Sequence, residues 1–479
     1  MGLNEATFQL KWDLKTEDGS LTQQLSAQIR DSISSGQLLP GDRVPPTRRL
    51  AEDLGVARGT VSTAMELLIA EGILEARIGS GTYVAKEAIL LSANTSDLVS
   101  TDVPLPSVVP VPDIDCAAPA SIDFRPCRPS LEAFPLQAWR RCMSIATSRI
   151  PNVDYGDPRG DANLRQTIQD YLRRSRGLTV DIEEIIITNG AVHAMHILSA
   201  LYLDSSASVV FETPGYPLAR QTFELSGANI HYCRVDEAGL ILEDLPRSGS
   251  RVKFVYVTPS HQFPTGGRLS LGRRRALISW AIKNKALIIE DDYDGEFRYD
   301  VPPLVPMASM SPSSVVYCGT FSKTMFPGLR IGFAIAPKPI IEAMAAYRTI
   351  SEYAPNAPAQ QALSQFIADG HYERHIHRMR RIYAAKRKQV STTLSQINVN
   401  VSLAGLDSGL SVLLRLGDKI SARRISKEAS EQGILIPAIG RYDFNKSVKD
   451  DALIFGYAEP SLKQIQLGLR TIFDRKSAT

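Results

Sequence analysis

Residues 286–297, ALIIEDDYDGEF, set an apolar run directly before two aspartates and a tyrosine. A run rich in Ile and Leu that ends abruptly in acids reads as a strand buried on both faces, with polar groups gathered at its C-terminal end. The runs IIIT (185–188), SVVFE (208–212), KFVYV (253–257), VVYCG (315–319) and IGFAI (331–335) share its character and are separated by helical lengths. That spacing predicts βα units and a largely parallel sheet. Ligands of such sheets sit outside the C-terminal ends of the strands. The candidates are therefore the residues that follow the runs: Gly190 and Ala191, Tyr216, the SHQFPTG loop (260–266), Asp291 and Tyr293, then Lys323 and Arg330.

Outside this region the architecture changes. Residues 1–86 read as helices followed by a short hairpin, residues 87–121 are rich in Ser, Asp and Pro without a helical period and read as a linker, and residues 122–479 carry the α/β pattern. The 479 residues include 54 Lys and Arg against 51 Asp and Glu, and 44% are hydrophobic, enough for two or three packed domains and far from a disordered composition. No apolar stretch approaches the ~18 residues of a membrane span, and the N-terminus lacks the apolar run of a secretory signal, so a cytoplasmic protein with no membrane partner is expected. The cysteines Cys116, Cys127, Cys142, Cys233 and Cys318 are odd in number and form no CxxC pair. Neither a disulfide framework nor a metal site is expected.

In the N-terminal part, Ser20 with Gln23 suggests a capping box, and Leu21, Leu25, Ile29 and Ile33 line one face of a first helix. Gly36, Pro40 and Gly41 interrupt the pattern; a short second helix carries Leu50 and Leu54 to a stop at Gly55. In the third helix Val61, Ala64, Met65 and Leu68 form the buried stripe, which leaves Arg58, Thr60, Ser62 and Thr63 near an exposed N-terminal end. ILEARIGSGTYVA then reads as two strands around Gly79, Ser80 and Gly81, a wing. The whole is a winged helix-turn-helix, and residues 24–84 resemble the GntR family of bacterial DNA-binding domains. That resemblance implies contacts to double-stranded operator DNA from Arg48, Arg58 and Thr60 and from Gly79, Ser80 and Gly81. Residues 1–86 hold nine Lys and Arg against eleven Asp and Glu. One such module would bind weakly, so two are expected to act together on paired half-sites.

In the C-terminal part, a lysine able to form an aldimine, an acid for a pyridine nitrogen, a phenol beside a ring hydroxyl and a helix N-terminus for phosphate are together the requirements of pyridoxal 5'-phosphate. The motifs YGDPRGDANLRQTIQDYLRRSRG (155–177), TNGAVHAM (188–195), TPGYP (213–217), TPSHQFPTG (258–266), EDDYDGEF (290–297) and GTFSKTMFPGLRIGF (319–333) resemble those of fold-type I aminotransferases. By this resemblance Lys323 forms the aldimine, Asp291 pairs with the pyridinium nitrogen and Tyr293 bonds the phenolic oxygen. Phosphate is held by Gly190, Ala191 and Val192 at a helix start and by Thr320, Ser322 and Arg330, while Tyr216 stacks on the ring. Tyr155 matches a tyrosine that reaches the phosphate of a neighbouring subunit, which implies a homodimer.

Two departures stand out. Aminotransferases place Asn before the Pro-Thr-Gly of the fifth-strand loop; here Phe263 stands there, and His261 or Gln262 is expected to take over its contact. The arginine that forks a substrate α-carboxylate is replaced by Ile454, leaving Arg441 or Arg415 as substitutes. The full combination resembles the MocR subfamily of bacterial regulators, which implies a pyridoxal-phosphate-dependent transcription factor. Its effector would be the cofactor itself, an amine without an α-carboxylate, or an amino acid held by another arginine. A working aminotransferase carrying an accessory DNA-binding module is the alternative; Ile454 argues for little or no transaminase turnover.

Overall fold

The computed structural model describes residues 20–86, 88, 121–148, 153–247, 251–299, 304–417, 420–446, 449 and 451–473. The chain divides into two compact units, residues 1–110 and 111–479. Apart from Ala88 and Ser121, the expected linker lies outside the described residues, as does Cys116.

The first unit runs α1 (Leu21–Ser34), β1 (Arg43–Val44), α2 (Thr47–Leu54), α3 (Arg58–Ala70), β2 (Leu74–Arg77) and β3 (Gly81–Val84). Leu25, Ile29 and Ile33 of α1 pack with Val61, Ala64, Met65 and Leu68 of α3 in one core. Each large side chain so buried contributes ~1.5–3 kcal/mol relative to exposure. Gly55 ends α2 in the left-handed region at φ 65°, where a side chain would be strained. Ser20 stands at the N-cap of α1, yet its side chain makes no capping bond, so the expected capping box does not form; the helix starts on the backbone bond from Gln24 N to Ser20 O, 3.1 Å. Strands β1, β3 and β2 form an antiparallel sheet in that order.

The second unit opens with β4 (Ile122–Asp123), α4 (Leu136–Thr147) and α5 (Ala162–Arg176). Next come β5 (Ile185–Thr188), α6 (Ala191–Tyr202), β6 (Ser208–Thr213), α7 (Pro217–Glu224), β7 (Asn229–Asp236), β8 (Gly239–Leu240) and β9 (Val252–Val257). The chain continues through α8 (Leu271–Lys283), β10 (Leu287–Asp292), α9 (Met307–Met310), β11 (Val315–Thr320), β12 (Gly332–Ile335) and α10 (Lys338–Ser351). These strands make one sheet in the order β5-β12-β11-β10-β9-β6-β7-β8. Its centre, β11-β10-β9-β6-β7, is parallel; β12 runs antiparallel to both neighbours and β8 antiparallel to β7.

Alternation along each strand divides the core. Ile186, Val209, Phe211, Phe254, Tyr256, Ile289, Val316 and Cys318 belong to one apolar cluster, while Ile185, Ile187, Val210, Val255, Val257, Ile288, Val315 and Tyr317 belong to the other. Successive side chains point to opposite faces, and both faces are covered, which is why these strands read as unbroken apolar runs. The unit closes with α11 (Ala357–Ala368), α12 (His371–Ile397), β13 (Val401–Ala404), β14 (Ser411–Leu416), α13 (Ala422–Glu431), β15 (Ile434–Leu435), β16 (Ala452–Gly456) and α14 (Leu462–Phe473). Here β13, β14 and β16 form an antiparallel sheet, and β15 pairs in parallel with β4. Among the described residues no helix is long and apolar enough to cross a membrane.

Candidate functional site

The ends of β9, β10 and β11 and the start of α6 open onto one cavity of about 460 Å³. Asp291, near the end of β10 and opposite Cys318 of β11, lines it and is 3% exposed. The Tyr256 hydroxyl donates to its Oδ2 at 2.8 Å, while Oδ1 is buried without a hydrogen-bond partner. Burial pushes this carboxyl up to about 7; the Tyr256 bond and the Lys323 charge oppose the rise and Asp292 adds to it. A buried acid with an orphaned oxygen on a cavity wall is a socket for a cationic N–H.

Its acidic neighbours have partners of their own. Burial alone would raise the Asp292 carboxyl, but the Arg176 guanidinium at 3.1 Å and the Tyr317 hydroxyl at 2.6 Å hold it below the usual range. Glu212, at the end of β6, accepts from the Thr258 amide at 3.1 Å and its hydroxyl at 2.7 Å, and burial pushes it up to about 7.

The opposite end of the cavity is built for an oxyanion. Gly190 caps α6 at φ 96°, and the first amides of a helix lack intrahelical acceptors and sit at the positive end of its dipole. A Cβ on Gly332 would stand 2.8 Å from the Gly190 Cα, so a glycine there lets β12 press against the helix start. The Thr320 hydroxyl donates to Ser322 Oγ at 3.0 Å, and the Arg330 guanidinium donates to the Asn189 carbonyl at 2.6 Å. Gly190, Ala191, Val192, Thr320, Ser322 and Arg330 all line the cavity, as do Lys323, Tyr216 and Tyr293.

Two expected residues, Gln262 and His261, do not line this cavity. The Gln262 amide donates to Pro214 O at 2.9 Å and Phe263 O at 2.7 Å and accepts from the Thr265 hydroxyl at 2.7 Å. Its bonding capacity is used up in holding the loop, so it does not stand in for the absent asparagine. His261 lies behind Tyr293 rather than on the cavity wall: its Nδ1 is 3.0 Å from the Tyr293 hydroxyl and 2.9 Å from Asp294 Oδ2. Tyr155, expected at a neighbouring subunit's phosphate and not in its own chain's cavity, is 75% exposed and stacks on Tyr353 with centroids 4.3 Å apart.

Of the substitute arginines, Arg441 lines the cavity; Arg415 is an exposed residue of β14 and does not. Ile454, in β16, is fully buried in an apolar cluster with Phe263, Tyr293, Leu413 and Tyr442. Several lining residues went unnoticed in the sequence: Tyr256, Thr258, Tyr442 and the segment Arg125–Arg128. Tyr256 had a signal, since a hydroxyl inside a strand buried on both faces needs a partner. In the segment, Cys127 takes a left-handed φ of 62°, and burial pushes its thiol up to about 12. Cys127, Cys142, Cys233 and Cys318 are all free thiols, and among the described residues no cluster of three or more His, Cys, Asp or Glu is placed to hold a metal ion.

In the first unit Arg58 begins α3 and is exposed, with Thr60 half-buried beside it. Arg48 is exposed on α2, 3.4 Å from Glu52. The wing turn holds Gly79 at φ 73° and Gly81 at φ 118°, with Ser80 Oγ 2.6 Å from the Tyr83 hydroxyl. The sequence reading missed two basic neighbours of this turn. The Arg43 guanidinium lies against Gly81, 3.1 Å from where a Cβ would be, and Arg77 sits over the Tyr83 ring at 4.4 Å.

Residues 21–84 match the family described as bacterial regulatory proteins, gntR family, and residues 130–449 match aminotransferase class I and II. The HTH-type pyridoxine biosynthesis transcriptional regulator PdxR of Corynebacterium glutamicum is 34% identical, over 96% of this chain and 97% of its own. The probable rhizopine catabolism regulatory protein MocR of Rhizobium meliloti is 32% identical over 95% and 93%. Among solved structures, the kynurenine aminotransferase of Pyrococcus horikoshii, determined in complex with PMP, has a TM-score of 0.68 at 22% identity, covering 81% of this chain and 99% of that one.

Proposed function

The chain belongs to the bacterial regulators that join a GntR-type winged helix-turn-helix to an aminotransferase class I and II domain, and from that premise we propose that it is a transcription factor whose DNA binding answers to pyridoxal 5'-phosphate. One observation carries the cofactor assignment: the orphaned, buried Oδ1 of Asp291 shares a cavity with Lys323 and with the oxyanion cup at the start of α6. The residues present fit the group. Asp291 would hold the ring nitrogen, Tyr293 the ring oxygen, Tyr216 the ring face, and Ala191, Val192, Thr320, Ser322 and Arg330 the phosphate. When bound, the cofactor supplies an aldehyde that condenses with amines and a ring that withdraws electrons.

The chain's own residues then favour sensing over turnover. Ile454 sits within an apolar wall where the family's carboxylate-binding arginine would stand, so an α-amino acid lacks the usual clamp that fixes its orientation for proton transfer. Arg441 lines the same cavity and would meet a ligand anion approaching from another side. The DNA partner implies a cytoplasmic protein, and paired half-sites imply a homodimer that presents two winged helices. A coupling of only about 1.4 kcal/mol between ligand and DNA binding changes DNA affinity tenfold.

The test is borohydride trapping of full-length protein incubated with pyridoxal phosphate, followed by peptide mass analysis, alongside operator binding with and without cofactor. An adduct on Lys323, lost in Lys323→Ala, and a cofactor-dependent shift in DNA affinity are expected. Absence of any adduct removes the cofactor reading; an adduct with unchanged DNA affinity removes the regulatory one.

A further inference from the structure

His261 is 3% exposed and Asp294 1% exposed, behind the wall that Tyr293 presents to the cavity. The imidazole is fitted closely. A Cβ on Gly409 would lie 2.1 Å from His261 Cε1 and 2.7 Å from Asp294 Oδ2, and one on Gly266 would lie 3.3 Å from His261 Nε2. Both glycines are left-handed, at φ 82° and φ 79°, so the backbone wraps the ring where no side chain fits. Nδ1 faces Asp294 Oδ2 at 2.9 Å and the Tyr293 hydroxyl at 3.0 Å, while Nε2 is buried without a hydrogen-bond partner.

Hydrogen-bond bookkeeping fixes the proton. An ionised carboxylate only accepts, so the Nδ1 beside it carries hydrogen. With its hydrogen on Nδ1, His261 cannot accept from Tyr293; that one hydrogen is shared between Asp294 Oδ2 and the tyrosine oxygen, which face the same nitrogen. The phenolic hydrogen is left to point away from the histidine, toward the cavity that Tyr293 lines.

We propose that His261, oriented by Asp294, is a positioning residue that makes Tyr293 a one-way hydrogen-bond donor into the cavity, aimed at an anionic oxygen on the ligand ring. The inference rests on the cofactor reading above and adds a role for two residues that do not touch the ligand. It also accounts for the missing asparagine: the contact is reinforced from behind through Tyr293 rather than replaced from the side.

The experiment uses full-length protein and pyridoxal phosphate at one pH, reading the cofactor dissociation constant and the ratio of its two visible absorbance bands. His261→Leu should weaken cofactor binding about tenfold, the worth of a well-placed hydrogen bond to a charged group, and shift the band ratio in the same direction as Tyr293→Phe. The double variant should add nothing further, because both changes remove one interaction. His261→Asn, whose amide can still donate, should stay within about twofold of the parent. Asp294→Asn, which releases the tautomer, should resemble His261→Leu and serves if the leucine variant fails to fold. The inference is overturned if His261→Leu and Asp294→Asn leave both readouts unchanged, or if the His261 and Tyr293 effects are fully additive. Either result with a normal Lys323 adduct leaves the cofactor reading standing; failure of the parent protein to take up cofactor removes both.

Discussion

Replacing Asp291 by Asn separates the stability of the empty fold from its affinity for the cofactor, and the two should move in opposite directions. The Asp291 carboxyl is raised by burial from an ordinary 3.8 to about 7, with the Tyr256 hydroxyl as its hydrogen-bond donor among the described residues. At ~1.4 kcal/mol for each tenfold change in proton affinity, ionising it costs the folded state roughly 4 kcal/mol at high pH, an upper bound because water in the cavity screens the charge. The sign follows from linkage. A folded value above the unfolded one means that stability is fully present below about 3.8, declines as the unfolded carboxyl ionises, and reaches its floor near 7. The cofactor-free Asn variant should therefore match the parent near pH 4 and melt several degrees higher at pH 8, a gap of ~2–4 kcal/mol in denaturant titration. Saturating pyridoxal phosphate should reverse the order, since only the carboxylate can pair with a ring cation. A variant no more stable than the parent at pH 8, or stabilised by cofactor as much as the parent is, would refute the assignment of Asp291 as an uncompensated anion awaiting a cation.

Three further outcomes are expected. Ile454→Arg buries a guanidinium in the Phe263–Tyr442 cluster and should destabilise the second unit by ~3 kcal/mol or more in thermal melts; an unchanged melt would mean the wall is open to solvent. Gly332→Ala sets a Cβ 2.8 Å from both Gly190 Cα and Gly319 O; it should cost ~1–3 kcal/mol of stability and weaken cofactor binding through the helix start. Arg58→Ala should lower operator affinity by ~1–3 kcal/mol if the side chain reads a base, or flatten the salt dependence if it meets phosphate. Fluorescence anisotropy at several salt concentrations distinguishes these, and no change in either quantity would argue that α3 does not dock.

The sheet was legible because burial on both faces erases the polar alternation that would otherwise hide a strand among loops. Ile185–Ile187 and Val315–Cys318 serve two different cores, residue by residue, yet read as one apolar word. The helix faces of the first unit were equally plain, since Val61, Ala64, Met65 and Leu68 repeat at helical spacing. What escaped the sequence is contact without periodicity. Arg125–Arg128 follows two residues after the short strand β4 and announces no element, and Tyr256 looks like any strand aromatic until its hydroxyl is found on Asp291. The choice between His261 and Gln262 could not be read at all. Adjacent residues in a loop diverge by backbone geometry, and here one amide is spent on the loop itself while the imidazole turns toward Tyr293.

The charge distribution of the first unit bears on why a small coupling suffices. Its arginines are partly answered within the module: Arg48 by Glu52, Arg49 by Asp53, Arg30 by Glu71 and Arg77 by Glu75. Exposed pairs of this kind add little stability, ~0–1 kcal/mol each. They do cancel the long-range field that would hold a single module on DNA regardless of sequence. On the proposed docking of two copies to paired half-sites, a reader with little non-specific affinity relies on both together, and occupancy then varies steeply with whatever shifts their joint binding. A strongly basic module would stay bound through a change of 1–2 kcal/mol; a near-neutral one would not. Adding basic residues to exposed positions of α2, as in Glu52→Lys, should therefore raise DNA affinity while shrinking the fraction of binding that responds to cofactor. A Glu52→Lys variant that binds more tightly yet keeps the full cofactor response would break the link between weak electrostatics and regulation.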